Sequence, residues 1–154
     1  RLTDVTGVQT CALPICLTKV KELLKDHKKI IIFYNFNYEL EALRVFSKEN
    51  NIPFSEWNGH NHDDIPKTES WLYLVQYTAG AEGWNCTETN TVIFFSQNYS
   101  YRIMTQAAGR IDRLDTPFTD LYYYTLISNS VIDLAIDKAL KNKQRFNENR
   151  FTKF

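Results

Sequence analysis

From residue 17 onward, the apolar positions of this chain alternate between helical spacing and short unbroken runs. Leu17, Val20, Leu23 and Leu24 recur at helical intervals, and the basic cluster His27-Lys28-Lys29 suits a helix C-terminus. Residues 30–34 form a continuous apolar, β-branched run, predicting a strand buried on both faces. Leu40, Leu43 and Phe46 mark an amphipathic helix over roughly 37–49, with Asn35 or Asn37 as its cap. Asn50-Asn51-Ile52-Pro53 breaks that helix, and a short strand is expected near 53–56. A polar, turn-rich loop covers 58–70, followed by strands at Trp71 to Tyr77 and Thr91 to Phe95. A helix over 100–111, a strand from Leu121 to Ile127 and a last helix starting near Ser130 complete the pattern. Buried strands alternating with helices indicate βαβ units. The expected fold class is α/β, a three-layer domain with a mostly parallel sheet flanked by helices.

Composition narrows the class. The chain has 154 residues, 44% hydrophobic and 23% charged, with 9 Tyr and 10 Phe. That balance gives one soluble domain with ample core material. The longest apolar run, Ile30 to Tyr34, is far short of the roughly 20 residues a membrane helix needs. Only 5 Gly and 4 Pro exclude a collagen-like or low-complexity chain. Net charge is zero, but its distribution is uneven. From Lys138 to Phe154 there are six basic residues and one acidic, whereas residues 17–137 carry 11 basic and 16 acidic. A nucleic-acid partner must therefore be argued from a local site or from the basic tail.

The first sixteen residues, RLTDVTGVQTCALPIC, follow neither period and lack the features of a signal peptide. The string GVQTCALPI resembles the translation of a sequencing adapter. On that resemblance residues 1–16 are an expected non-native segment, the domain occupies 17–154, and the natural polypeptide continues upstream. Setting the segment aside removes Cys11 and Cys16 and leaves Cys86 alone, so neither a disulfide framework nor a cysteine-based zinc site is expected. A cytoplasmic protein is the default.

Ligands of open parallel sheets bind at the loops leaving the carboxyl ends of strands. Three such loops carry chemistry. Tyr34-Asn35-Phe36-Asn37 could hold a phosphate through side-chain amides and helix amides, or simply cap the helix. Thr78-Ala79-Gly80-Ala81-Glu82-Gly83-Trp84-Asn85 has two glycines that admit a ligand close to the backbone, and a hydroxyl at Thr78. By itself it also reads as a flexible turn. In Gln106-Ala107-Ala108-Gly109-Arg110-Ile111-Asp112-Arg113, helical geometry places Gln106, Arg110 and Arg113 on one stripe. Ile103, Ala107, Ile111 and Leu114 form a neighbouring stripe for packing on the sheet. Two guanidinium forks there suit a triphosphate. The plain alternative is an exposed helix pairing locally with Asp112 and Asp115.

Taken in order, these segments strongly resemble the second RecA-like lobe of superfamily-two helicases and translocases. YTAGAEGWN looks like their motif five, QAAGRIDR like motif six and, more loosely, IIFYNFNYELEAL like motif four. The resemblance spans about residue 17 to residue 140. It points to a Swi/Snf-like or a bacteriophage helicase rather than the DEAD-box type, because motif six opens with Gln instead of His-Arg. A bacterial or phage-infected host cytoplasm is the corresponding expectation.

The resemblance implies an ATP-dependent motor in which two lobes close on ATP and Mg2+ while nucleic acid, expected to be DNA, lies across both. Arg110 and Arg113 would be arginine fingers reaching the γ-phosphate of ATP held mainly by the first lobe. Gln106 would orient that face, and Glu82 and Gly83 would approach the nucleotide. Thr78 and Asn35 would touch the nucleic-acid backbone, contacts that carry no sequence information. The chain contains no G-x-x-x-x-G-K-[ST] loop and no acidic magnesium motif on a strand. Those belong to the first lobe, so this chain alone is expected neither to hydrolyse ATP nor to unwind anything. The rival reading is a standalone or degenerate RecA-like module that binds nucleic acid or protein without turnover. An unrelated nucleotide-binding enzyme using Gly80–Gly83 ranks last, because it leaves Gln106, Arg110 and Arg113 unexplained.

Other features carry less. His60, His62, Asp63 and Asp64 share one loop without a second ligand cluster, so a solvated loop is expected and no metal site. Cys86 reads as a packing residue. Trp57, Trp71 and Trp84 could stack on bases, though packing is the commoner fate of tryptophan.

Overall fold

The computed structural model describes residues 2–8, 13–79, 86–127 and 131–142. Among the described residues six strands form one sheet: β1 (Leu2–Val8), β2 (Lys29–Tyr34), β3 (Phe54–Trp57), β4 (Trp71–Gln76), β5 (Thr91–Phe94) and β6 (Leu121–Ile127). Their order is β1-β6-β5-β2-β4-β3, and every pairing is parallel. The helices are α1 (Leu13–Asp26), α2 (Asn37–Glu49), α3 (Tyr101–Ala108) and α4 (Val131–Lys141). Among the described residues no helix is long and apolar enough to cross a membrane.

The three layers follow from the alternation of side chains along central strands. Ile30, Ile32, Tyr34, Leu72, Leu74 and Ile93 face α1 and α2, where they meet Val20, Leu23, Leu40, Leu43 and Phe46. Ile31, Phe33, Tyr73, Val75, Val92 and Phe94 face the other way, onto Ala107 of α3 and onto Ile111. The apolar run at 30–34 is buried on both faces because β2 sits in mid-sheet with a helical layer on each side. Register is tight there, with Ile32 opposite Leu74 on one side and Ile93 on the other.

Three expectations need correction. Of the first sixteen residues, 2–8 and 13–16 are described, and they lie within secondary structure of the domain. Leu2–Val8 is an edge strand paired with Leu121–Ile127, and α1 begins at Leu13 rather than 17. Cys16 is buried in the core and disulfide-bonded, so it belongs to the packed domain. Neither Asn35 nor Asn37 caps α2. Phe36 takes the N-cap position and has no side-chain acceptor to offer. Glu39, three residues on, reaches back instead, its Oε1 accepting from the N–H of Phe36 (2.9 Å) and of Asn35 (3.1 Å). The helix drawn over 100–111 stops at Ala108. Gly109 ends it, and the Ala108 carbonyl, orphaned by the helix end, accepts the Tyr123 hydroxyl at 2.7 Å. The N–H of Arg110 bonds back only to Ala107, and Ile111 is drawn into the core. Leu114, placed on a packing stripe by helical spacing, is fully exposed.

Candidate nucleotide and nucleic-acid interface

From β2 the chain runs through α2 towards β3 and β4 on one side. It then returns to lay β5 and β6 on the other. The carboxyl ends of β2 and β5 are therefore a topological switch point, where diverging turns leave a crevice. A polar network fills it. Asn35 Nδ2 donates to Ser96 Oγ and to the Gln97 carbonyl, both at 2.9 Å. Asn98 Nδ2 donates to Asn35 Oδ1 at 3.0 Å. Ser96 Oγ donates to Glu39 Oε1 at 3.0 Å, and the Tyr77 hydroxyl to the Ser96 carbonyl at 2.6 Å.

Glu39, Ser96 and Asn98 were missed by sequence reasoning. A Glu at the third position of a helix was the available signal for Glu39. The polar triplet Ser96-Gln97-Asn98 directly after a buried strand was the signal for the others. The network also defines what Asn35 can do, since its side-chain amide already makes three hydrogen bonds.

The motif-five segment leaves β4 next to this crevice. Thr78 is exposed in the turn that follows the strand. The Ala79 carbonyl accepts from Trp57 Nε1 at 3.2 Å, which pins the near end of the segment. Glu82 and Gly83 lie outside the described residues, as does Trp84. The far end is pinned at Cys86, whose N–H donates to the Arg110 carbonyl at 3.1 Å. The end of the glycine-bearing loop is thus bonded directly to the arginine segment.

Gln106 lies on α3, half-buried, while Arg110 and Arg113 lie beyond the helix end. They do not share a helical stripe with Gln106. What brings the two arginines near one another is the tight turn after Gly109. Burial lowers the Arg110 pKa, and the charge of Arg113 lowers it further. Arg110 Nε is buried without a hydrogen-bond partner among the described residues. A half-buried guanidinium, repelled by a second one and with an unused donor, is electrostatically suited to receive an anion.

The remaining candidates have structural work. His62 stacks on Trp57 with centroids 4.3 Å apart, and Asp63 Oδ2 accepts the Glu56 N–H at 3.1 Å. No cluster of metal-ligating side chains occurs among the described residues. Trp71 is buried in the core, and burial raises the Cys86 thiol pKa.

Residues 16–115 match the family described as the helicase conserved C-terminal domain. The chain is 24% identical over 142 residues to the chromatin-remodeling ATPase INO80 of Lodderomyces elongisporus, and 23% identical over 141 residues to that of Neurospora crassa. Each alignment covers 83% of this chain but only 9% and 7% of the respective relatives, so the chain spans less than a tenth of their length. The C-terminal part of the Fun30 ATPase domain superposes with a TM-score of 0.74 at 22% identity, over 88% of this chain and 48% of that one. That likeness carries the RecA-like α/β fold. Both relatives are fungal, and they lend no support to a bacteriophage or bacterial setting, nor to an adapter origin for the first residues. The chain belongs to the helicase conserved C-terminal domain family.

Proposed function

We propose that the chain is the C-terminal motor lobe of an ATP-dependent nucleic-acid translocase of the Swi/Snf-like kind. Arg110 and Arg113 supply charge to the γ-phosphate of ATP, which an upstream lobe holds with Mg2+. Gln106 orients that face, and Glu82 and Gly83 approach the nucleotide. Thr78, exposed at the carboxyl edge, contacts the nucleic-acid backbone, with DNA the expected track. Asn35 lies at the same edge and orders it; to reach a phosphate itself it would exchange one of its internal bonds. The observation that carries the reading is Arg110, half-buried beside Arg113, its Nε without a partner among the described residues, and bonded through its carbonyl to Cys86 at the end of the motif-five loop.

The upstream lobe turns a binding surface into a motor: closing it over ATP brings the arginines to the phosphate, and opening releases them. In the polypeptide that includes that lobe, Arg110→Lys or Arg113→Lys lowers kcat by roughly 10³-fold or more while ATP still binds, the range seen when an arginine finger is lost. The 154-residue chain alone shows no nucleic-acid-stimulated hydrolysis. Full turnover in both Lys variants contradicts the assignment, and turnover by the chain alone contradicts the two-lobe reading.

A further inference from the structure

Just past the two arginines stands a side chain that this fold does not use. Leu114 is fully exposed, at 106% of its reference area, whereas Tyr38, the next most exposed large apolar side chain among the described residues, stands at 61%. A leucine left in water adds nothing to the stability of its own lobe, because its value comes from burial. Its place is also unusual for the residue type. The Thr116 N–H donates to the Arg113 carbonyl at 3.2 Å, closing a turn with Leu114 and Asp115 at its centre, where small polar residues are the norm.

The turn is held at both ends. Before it, Ile111 is buried in the core, and the Arg110 carbonyl accepts the Cys86 N–H at 3.1 Å. After it, Phe118 packs against the same core cluster that holds Ile111. The tip is therefore presented on a braced segment, and little ordering remains to be done when a surface docks on it. Its neighbours Asp112, Arg113 and Asp115 are charged and exposed, which leaves Leu114 as the one apolar group of the stretch 112–115.

What meets this tip follows from Arg113. That side chain is exposed, so a γ-phosphate reaches it only when the lobe holding ATP closes against this segment. Consecutive Cα atoms are about 3.8 Å apart, so the surface that brings a phosphate to Arg113 also comes within side-chain reach of Leu114. We infer that Leu114 is an anchor for closure of the upstream lobe, burying itself in an apolar depression beside that lobe's phosphate-binding loop and so fixing Arg113 in place. Asp112 and Asp115 stay at the polar rim of the contact. The inference rests on the proposed function and names the contact that stabilises its closed state. Leu114 touches neither ATP nor nucleic acid, which makes it a positioning residue.

The test uses the polypeptide that includes the upstream lobe, with one fluorophore on each lobe. Energy transfer reads closure at a saturating non-hydrolysable ATP analogue, and steady-state assays read nucleic-acid-stimulated turnover. Leu114→Ala lowers the closing equilibrium constant roughly 10- to 100-fold, the worth of burying most of a leucine side chain. Turnover per closed molecule stays at the parent value. Leu114→Met retains closure, because it is apolar and of similar volume. Arg113→Lys gives the converse, a closed pair of lobes whose turnover per closed molecule is lowered. Because Leu114 is exposed, circular dichroism of its variants matches the parent. Unchanged closure in Leu114→Ala overturns the inference and, with turnover still lowered in Arg113→Lys, leaves the proposed function standing. Lower turnover per closed molecule in Leu114→Ala, or loss of its fold, overturns the inference as well. A parent that neither closes nor turns over overturns the inference and the proposed function together.

Discussion

Single side chains at the switch point show how stability and function divide. Glu39 Oε1 accepts two backbone N–H groups and a hydroxyl. Glu39→Ala leaves those donors unsatisfied and costs about 1–3 kcal/mol in urea denaturation, whereas Glu39→Gln, which keeps an acceptor oxygen, costs less. Arg110 behaves in the opposite sense. Its charge is disfavoured in the folded state by burial and by Arg113. Arg110→Met should therefore leave the chain at least as stable as the parent in urea denaturation, the signature of a residue kept for function. A large loss of stability in this variant would mean that Arg110 is a structural residue after all.

The elements were legible where burial and periodicity agree. The spans of α2 and β6 follow directly from their apolar positions, and β2 from its unbroken run. The reading failed where a local contact overrides the period. Gly109 and the Tyr123 hydroxyl stop α3 at Ala108, so the helical stripe through Arg110 and Arg113 does not exist. β1 was invisible because an edge strand needs only a parallel neighbour, which β6 supplies, and not an apolar alternation of its own. Of the candidate site, the motif residues were visible in sequence. The bracing around them was not, because hydrogen bonds such as Cys86 to Arg110 join segments 24 residues apart.

At the opposite end of the sheet His27 ties α1 to two strands, its Nε2 lying 2.8 Å from the Tyr124 hydroxyl and its Nδ1 3.0 Å from Thr91 Oγ1. Burial lowers its pKa below the ordinary 6.5, against an opposing pull from Asp26. A depressed histidine pKa means that the unfolded chain takes up the proton first. The contribution is complete above pH 6.5 and is lost as pH falls from there towards the folded-state value. Denaturation midpoints should accordingly fall between about pH 7.5 and about pH 5.5, and His27→Gln should flatten that slope. An unchanged slope in the variant would assign the pH dependence to other groups.

For the molecule as a whole, the proposed function requires a second lobe that carries the phosphate-binding loop. The part of the chain that aligns covers only 9% and 7% of the relatives it resembles. The most direct test is to read the source gene upstream of the codons for residues 1–16. The account predicts an open reading frame that continues into a strand, a G-x-x-x-x-G-K-[ST] loop and a helix. A start codon just upstream of residue 1, with no such unit before it, would contradict the motor and leave a single-lobe binding protein.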